Sequence, residues 1–333
     1  RTIDIPGEGK IVYNEYRWTQ PAHVTLPGGT VQEYEYDDFL RMTRAKSTDP
    51  AGNIIFDQIY HRDVNGRVWK KVSLEDTYVY SYDDAYQLTN EPRTGTNSYD
   101  IDYTYDACGN RLTKVVAGVG TTNYTYGDNN EIMTAGSKSY THDADGNMTS
   151  VTVGGNTTTL TWDYNDRLTQ ITYPNSSTNT FTTNDLGVRT TKVDSGGTVN
   201  YLRDGSSVLA DSRADYNQGG VTGLISERAS STSKWYHGDH LGSTRGITNS
   251  SETVTDSLTT DAWGMTVASS ESTASPFGFV GGQGYQTDTD SGLMLLGARY
   301  YDPSIGRFIS RDPLGYGGGD VNVYRYCGDD PVN

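Results

Sequence analysis

One short word recurs through the first two-thirds of the chain, and it limits the fold more than any other feature. It reads aromatic-x-aromatic-Asp, then a short turn often holding Gly or Asn, then Arg-Leu-Thr or a close variant. The fullest copy is Y-T-Y-D-A-C-G-N-R-L-T-K from Tyr103. Others are Y-E-Y-D-D-F-L-R-M-T from Tyr34 and Y-S-Y-D-D-A-Y-Q-L-T from Tyr80, with a weaker L-T-W-D-Y-N-D-R-L-T from Leu160. Weaker copies begin at Tyr124 and Tyr140, and degenerate ones at Ile59 and Phe181. The word returns about every 20 residues, a period that signals a repeat architecture.

The physics of one unit predicts a hairpin. Tyr103 and Tyr105 sit at i and i+2, so their rings share one face of a strand. Asp106 opens the turn, where its carboxylate can accept backbone N–H groups two residues on. Gly109 or Asn110 can take the left-handed φ of a tight turn. Arg111, Leu112 and Thr113 begin the return strand. A lone hairpin is marginal in water, so successive units must pair side by side. The product is one long antiparallel sheet that coils because strands twist.

Composition agrees with an all-β chain. Among 333 residues only 34% are hydrophobic, yet there are 26 Tyr and 38 Gly. Disorder comes with few aromatics, so this chain is predicted to fold. Tyr, Thr and Val favour strands, while Gly, Asn and Asp favour turns. No stretch repeats apolar residues at i, i+3, i+4, so little helix is expected. The formal net charge of −16 argues against nucleic acid and against anionic membranes as partners. No apolar run is long enough for a membrane span, the sequence shows no charged-then-apolar leader, and its first residue is Arg1 rather than Met, which suggests an internal piece of a longer chain. Cys108 and Cys327 form no C-x-x-C pair and predict neither a disulfide framework nor zinc.

The last stretch, from Trp235 to Asn333, carries rarer words. W-Y-H-G-D-H-L-G-S-T-R-G is followed by F-G-F-V-G-G-Q-G-Y from Phe277. Then comes G-L-M-L-L-G-A-R-Y-Y-D-P-S-I-G-R-F-I-S-R-D-P-L-G from Gly292. This resembles the core-terminal segment of the Rhs (YD-repeat) family, and the upstream hairpin words resemble the YD repeats of Rhs and teneurin shells. The resemblance implies an all-β fold: a spiral sheet of hairpins forming a partial or complete hollow shell, plugged by the core segment. It divides the chain into repeats over 1–200, connecting strands over 201–234 and the core segment over 235–333. About eight recognisable repeats suggest a partial wall with an open sheet edge near Arg1.

The same resemblance implies a function. Such shells enclose a C-terminal toxin or effector and free it by aspartyl-type self-cleavage, and they belong to bacterial toxin complexes or type VI-delivered effectors. The expected partner is the protein's own C-terminal toxin domain, and the expected location is secreted or on a bacterial cell surface. The alternative is a cell-surface adhesion or carbohydrate-contacting module. In the family, two D-P-x-G motifs each supply a carboxylate, and an arginine at the cut orients them. Here Asp312, in Asp312-Pro313-Leu314-Gly315, matches the first motif and Arg299 matches the arginine. Counted from Gly315, the second motif falls just after Asn333. An aspartyl dyad works because two close carboxylates cannot both ionise. With Asp312 alone, the fragment is expected not to cut itself, and no turnover enzyme is predicted. Read without the family, Asp312 simply begins a turn.

Other constellations are weaker. His237, Asp239 and His240 have ligand chemistry but no third strong ligand nearby, so bonding to turn backbones is expected rather than a metal. Asp143, Asp145 and Gly146, and likewise Asp288, Asp290 and Gly292, lack the later Glu of a calcium loop and read as turns. Gly281, Gly282 and Gly284 do not form a phosphate cradle. No cofactor is expected.

Overall fold

The repeat words become strands because their inward residues alternate with polar ones. In Tyr99–Tyr105, Ile101 and Tyr103 are buried, whereas Asp102 and Thr104 between them are exposed. The computed structural model describes residues 1–205, 207–270 and 275–333. Among these, 28 strands from Thr2–Ile5 to Thr266–Ser270 form one antiparallel meander. Each strand pairs with its sequence neighbours, except that Thr77–Val79 and Ser81–Tyr82, parted at Tyr80, both pair with Leu88–Thr94. The helical elements among the described residues are three short 3₁₀ turns.

The turns repeat one hydrogen-bond plan. At Asp106 the backbone N–H donates to the Asn110 carbonyl (2.9 Å), and Gly109 N–H donates back to the Asp106 carbonyl (3.0 Å). The Asp106 carboxylate accepts Cys108 N–H at 2.8 Å and Asn110 N–H at 2.9 Å. The same pattern holds at Asp37, Asp49, Asp63, Asp143 and Asp163, and later at Asp239 and Asp261. The fourth residue must be left-handed, which Gly109 allows at φ 75. Leu40 and Tyr86 fill that place at φ 61 and 68.

In five words the second aromatic ties its unit to the one before, whereas His142, second ring of the word from Tyr140, makes no such bond. Tyr82 Oη donates to the Val68 carbonyl (2.7 Å), Tyr105 to Leu88 (2.7 Å) and Tyr126 to Arg111 (2.8 Å). Tyr36 reaches Pro21 in the same way (2.8 Å). Trp162 substitutes its indole N–H, donating to Met148 (2.8 Å). The bond requires a ring with a donor at its tip, which Tyr and Trp share and Phe lacks.

The chain end fills the tyrosine-bearing face. A second sheet comprises Gln286–Thr287, Met294–Leu296, Arg299–Asp302 and Arg307–Phe308. Met294 and Leu296 pack with Tyr60, Val68, Tyr78 and Tyr103, from the first part of the wall. Leu293 and Leu295 pack with Tyr140, Leu160, Ile171 and Phe181, from its middle. Side chains alternate across a strand, so this segment is clasped between two parts of one curved wall. Backbone contacts join the layers too: Met148 N–H donates to the Ile309 carbonyl at 2.9 Å. The later strands return to the first ones, where Gln32 Nε2 donates to the Tyr236 carbonyl (3.2 Å) and Ser226 Oγ donates to Glu8 (3.3 Å). Among the described residues, Thr2–Ile5 and Thr266–Ser270 each pair on one side only, so the sheet coils without closing into a barrel.

Candidate functional site

Arg299 opens one arm of a plug hairpin, in which Tyr301 pairs with Phe308 and Asp302 with Arg307. Asp312 follows the other arm. The two meet: Arg299 Nη2 lies 3.0 Å from Asp312 Oδ2. Both lean on Val323, whose carbonyl accepts Asp312 N–H (2.9 Å) and Arg299 Nη1 (3.2 Å). The guanidinium stacks 3.5 Å from the centre of the Phe308 ring, a cation–π contact that fixes its plane. Burial draws Arg299 below its ordinary pKa, and the facing Asp312 opposes that shift. Asp312 also builds the turn expected of it, with Oδ1 accepting Leu314 N–H (2.9 Å) and its carbonyl accepting Gly315 N–H (2.8 Å). One carboxylate held by one cation offers charge and position. Acid–base splitting needs a second carboxylate beside it.

The pair faces an open cleft of ≈ 1100 Å³ between plug and wall. Three wall turns form the far side, contributing Asp145, Asn165, Asp166, Arg167 and Leu186, while Arg311 and Pro313 extend the near side. Arg167 builds that far side by donating to the Asn184 carbonyl (3.0 Å) and the Asp185 carbonyl (2.9 Å) of the next turn.

The other residues singled out by sequence take structural places. His237 is buried between Ser47 Oγ (3.0 Å) and Thr248 Oγ1 (3.1 Å), and burial draws its pKa down to about 4. His240 Nε2 donates to the Val332 carbonyl (2.8 Å) and its ring packs on Tyr60. Asp239 caps its turn and pairs with Arg245 at 2.6 Å. No group of three or more metal-ligand side chains occurs among the described residues. Asp143 holds a turn and Asp290 bonds Ser195, whereas Asp288 is buried against Arg189 (2.8 Å) and Lys192 (3.3 Å). Gly282 is needed for close approach, since a Cβ there would stand 1.8 Å from the Thr222 carbonyl. Both cysteines are free.

Sequence reasoning missed the buried charges. Arg111 and Arg189 occupy the inward place just after the turn that Val68, Leu88, Met148 and Leu168 hold in other units. Arg111 lies over the Tyr103 and Trp263 rings, at 4.8 and 4.1 Å. The Arg of the repeat word was the available signal. Glu91 is fully buried, accepting Ala262 N–H (2.8 Å) and Tyr99 Oη (2.5 Å). Burial, then the neighbouring Asp261, pushes its carboxyl up to about 8. Lys71, also buried, is drawn down to about 7 by burial and then by Arg245.

These features define a class: a β-wall of stapled hairpins, held by a C-terminal plug that carries an Arg–Asp pair at a cleft. The Teneurin YD-shell model matches residues 215–332, and the RHS Repeat model matches 142–178. The chain is 33% identical over 251 residues to the tRNA3(Ser)-specific nuclease WapA of Bacillus spizizenii, covering 70% of this chain and 10% of that protein. It is 35% identical over 98 residues to the toxin protein Tse5 of Pseudomonas aeruginosa, covering 29% and 7%. The crystal structure of TcdB2-TccC3 superposes with a TM-score of 0.83 at 18% identity, covering 99% of this chain and 20% of that one. The chain belongs to the Rhs/YD-repeat family. It spans about a tenth of the length of its WapA relatives.

Proposed function

We propose that this chain is the shell segment around a C-terminal toxin or effector, and that the passenger is released by aspartyl self-cleavage. Asp312 supplies one carboxylate and Arg299 holds it in place. The second carboxylate comes from a D-P-x-G motif downstream of Asn333. Residues 1–200 provide repeats, 201–234 connecting strands, and 235–333 the core segment. The carrying observation is the Arg299–Asp312 ion pair, set on the plug and open to a cleft, with Asp312 held at both oxygens. A toxin-complex or type VI machine would deliver the assembly, which places it outside the producing cell. No helix among the described residues is long and apolar enough to cross a membrane.

The test is self-cleavage of the protein extended past Asn333 through the second motif. Wild type should yield two bands on a denaturing gel, and Asp312→Asn only one. Equal cutting of both would remove Asp312 from the mechanism.

A further inference from the structure

We propose that His240 and Asn333 are positioning residues for self-cleavage, together pinning the chain to the wall just ahead of the second carboxylate. The inference rests on the self-cleavage reading and names what holds the partner of Asp312 in place. Two carboxylates act as a dyad only when they meet closely, and a misplacement of about 1 Å can cost roughly a hundredfold in rate. A slack connection between them would forfeit that placement.

The chain that leads on from Asp312 is not slack. It is tacked to wall turns far away in sequence. Asn322 Nδ2 donates to the Cys108 carbonyl (3.1 Å), Tyr324 Oη donates to the Gly146 carbonyl (2.8 Å), and Asp329 Oδ2 accepts Gln87 Nε2 (3.0 Å). Val332 and Asn333 are held most fully. Val332 is 3% exposed, and its carbonyl accepts His240 Nε2 at 2.8 Å. A carbonyl can only accept, so the neutral ring carries its proton on Nε2. Burial keeps it neutral by drawing its pKa down to about 4. The Asn333 amide is spent on three bonds: Oδ1 accepts Val68 N–H (2.5 Å), while Nδ2 donates to Tyr82 Oη (3.0 Å) and to Asp330 Oδ1 (2.8 Å). Tyr82 Oη is itself the staple that donates to the Val68 carbonyl. Asn333 therefore locks onto a junction that already joins two wall units. An amide at an exposed position usually turns to water or to one near neighbour. This one is gripped by the wall 251 and 265 residues away in sequence.

The test is the rate of self-cleavage in the protein extended through the second motif, followed on denaturing gels after a pulse of cell-free translation. His240→Phe keeps a ring against Tyr60 and removes the donor. Asn333→Asp keeps the shape, removes both donations and sets a carboxylate against Asp330. Each should cut roughly tenfold to a hundredfold more slowly than wild type. His240→Gln restores a donor and should recover part of the loss. Two carboxylates this close share a proton in acid. Asp63 and Arg67 also face Asp330, but they pair with each other. The rate of Asn333→Asp relative to wild type should therefore rise as pH falls from about 8 to about 5. Asn129→Asp makes the same change at an exposed turn and should cut like wild type. Melting temperatures are read for the same substitutions in the uncut Asp312→Asn background. Slower cutting that only tracks a lower melting temperature, with no recovery in His240→Gln or in acid, would overturn the proposal. If His240→Phe and Asn333→Asp cut as fast as wild type while Asp312→Asn does not cut, this inference fails and the self-cleavage reading stands. Cutting indifferent to Asp312→Asn yet slowed in both variants would do the reverse. An uncut wild type would end both.

Discussion

Removing one oxygen atom at two tyrosines should have opposite consequences. Tyr105 Oη donates to the Leu88 carbonyl at 2.7 Å. Tyr105→Phe deletes that bond and leaves a carbonyl short of a partner inside the wall. The loss is a net hydrogen bond plus part of a desolvation penalty, roughly 1–3 kcal/mol. Tyr140, the first aromatic of its word, is 2% exposed, and its hydroxyl is buried with no partner among the described residues. Tyr140→Phe removes an unsatisfied polar atom without opening a large cavity, and should be neutral or stabilising by up to about 1 kcal/mol. Urea titration followed by tyrosine and tryptophan fluorescence reads both as shifts in midpoint at constant slope. The staples lie about two strand spacings or more apart, so their losses should add. Changing Tyr36, Tyr82, Tyr105 and Tyr126 together should cost roughly 4–12 kcal/mol, comparable with the whole stability of many domains. If Tyr105→Phe and Tyr140→Phe move the midpoint alike, the directional hydrogen bond is not what selects the second ring.

Three further outcomes follow from buried contacts. The carboxyl of Glu91 is raised to about 8, so its contribution is complete below pH 4.5 and is lost as pH rises through about 8. Glu91→Gln should gain on wild type across that window, by about 1 kcal/mol per pH unit at most, in thermal melts from pH 5 to 9. Asp288→Asn leaves the buried Arg189 and Lys192 short of a counter-charge and should cost about 3–5 kcal/mol, while Arg189→Met with Asp288→Leu should recover most of it in the same denaturant titration. Gly282→Ala drives a methyl group into the Thr222 carbonyl and should cost about 1–3 kcal/mol, visible as a lower melting temperature, with no comparable effect from Gly317→Ala, where φ is not left-handed and no atom crowds the Cβ.

The hairpin unit was legible because its information is local. The i, i+2 rings of Tyr103 and Tyr105, the capping Asp106 and the left-handed Gly109 lie within seven residues, and each acts on its neighbours. The tyrosine staple was not legible, because its acceptor is a backbone carbonyl chosen by strand pairing rather than by residue type. Arg111 could be placed at the start of the return strand, but only strand pairing shows that it and Arg189 turn inward. Arg299 and Asp312 were singled out by family resemblance, since spacing alone does not show that a plug hairpin folds them together. Asp145 and Asp166 were hidden more deeply. They lie far upstream in the wall and line one cleft with Asp312 only through tertiary packing.

The staples all point the same way along the chain: the later residue donates and the earlier one accepts. A unit leaving the ribosome therefore finds its anchor already synthesised, and never waits for one still to come. Assembly can proceed like laying courses of brick, each course keyed to the last. The plug, translated after the turns it touches, arrives as the keystone.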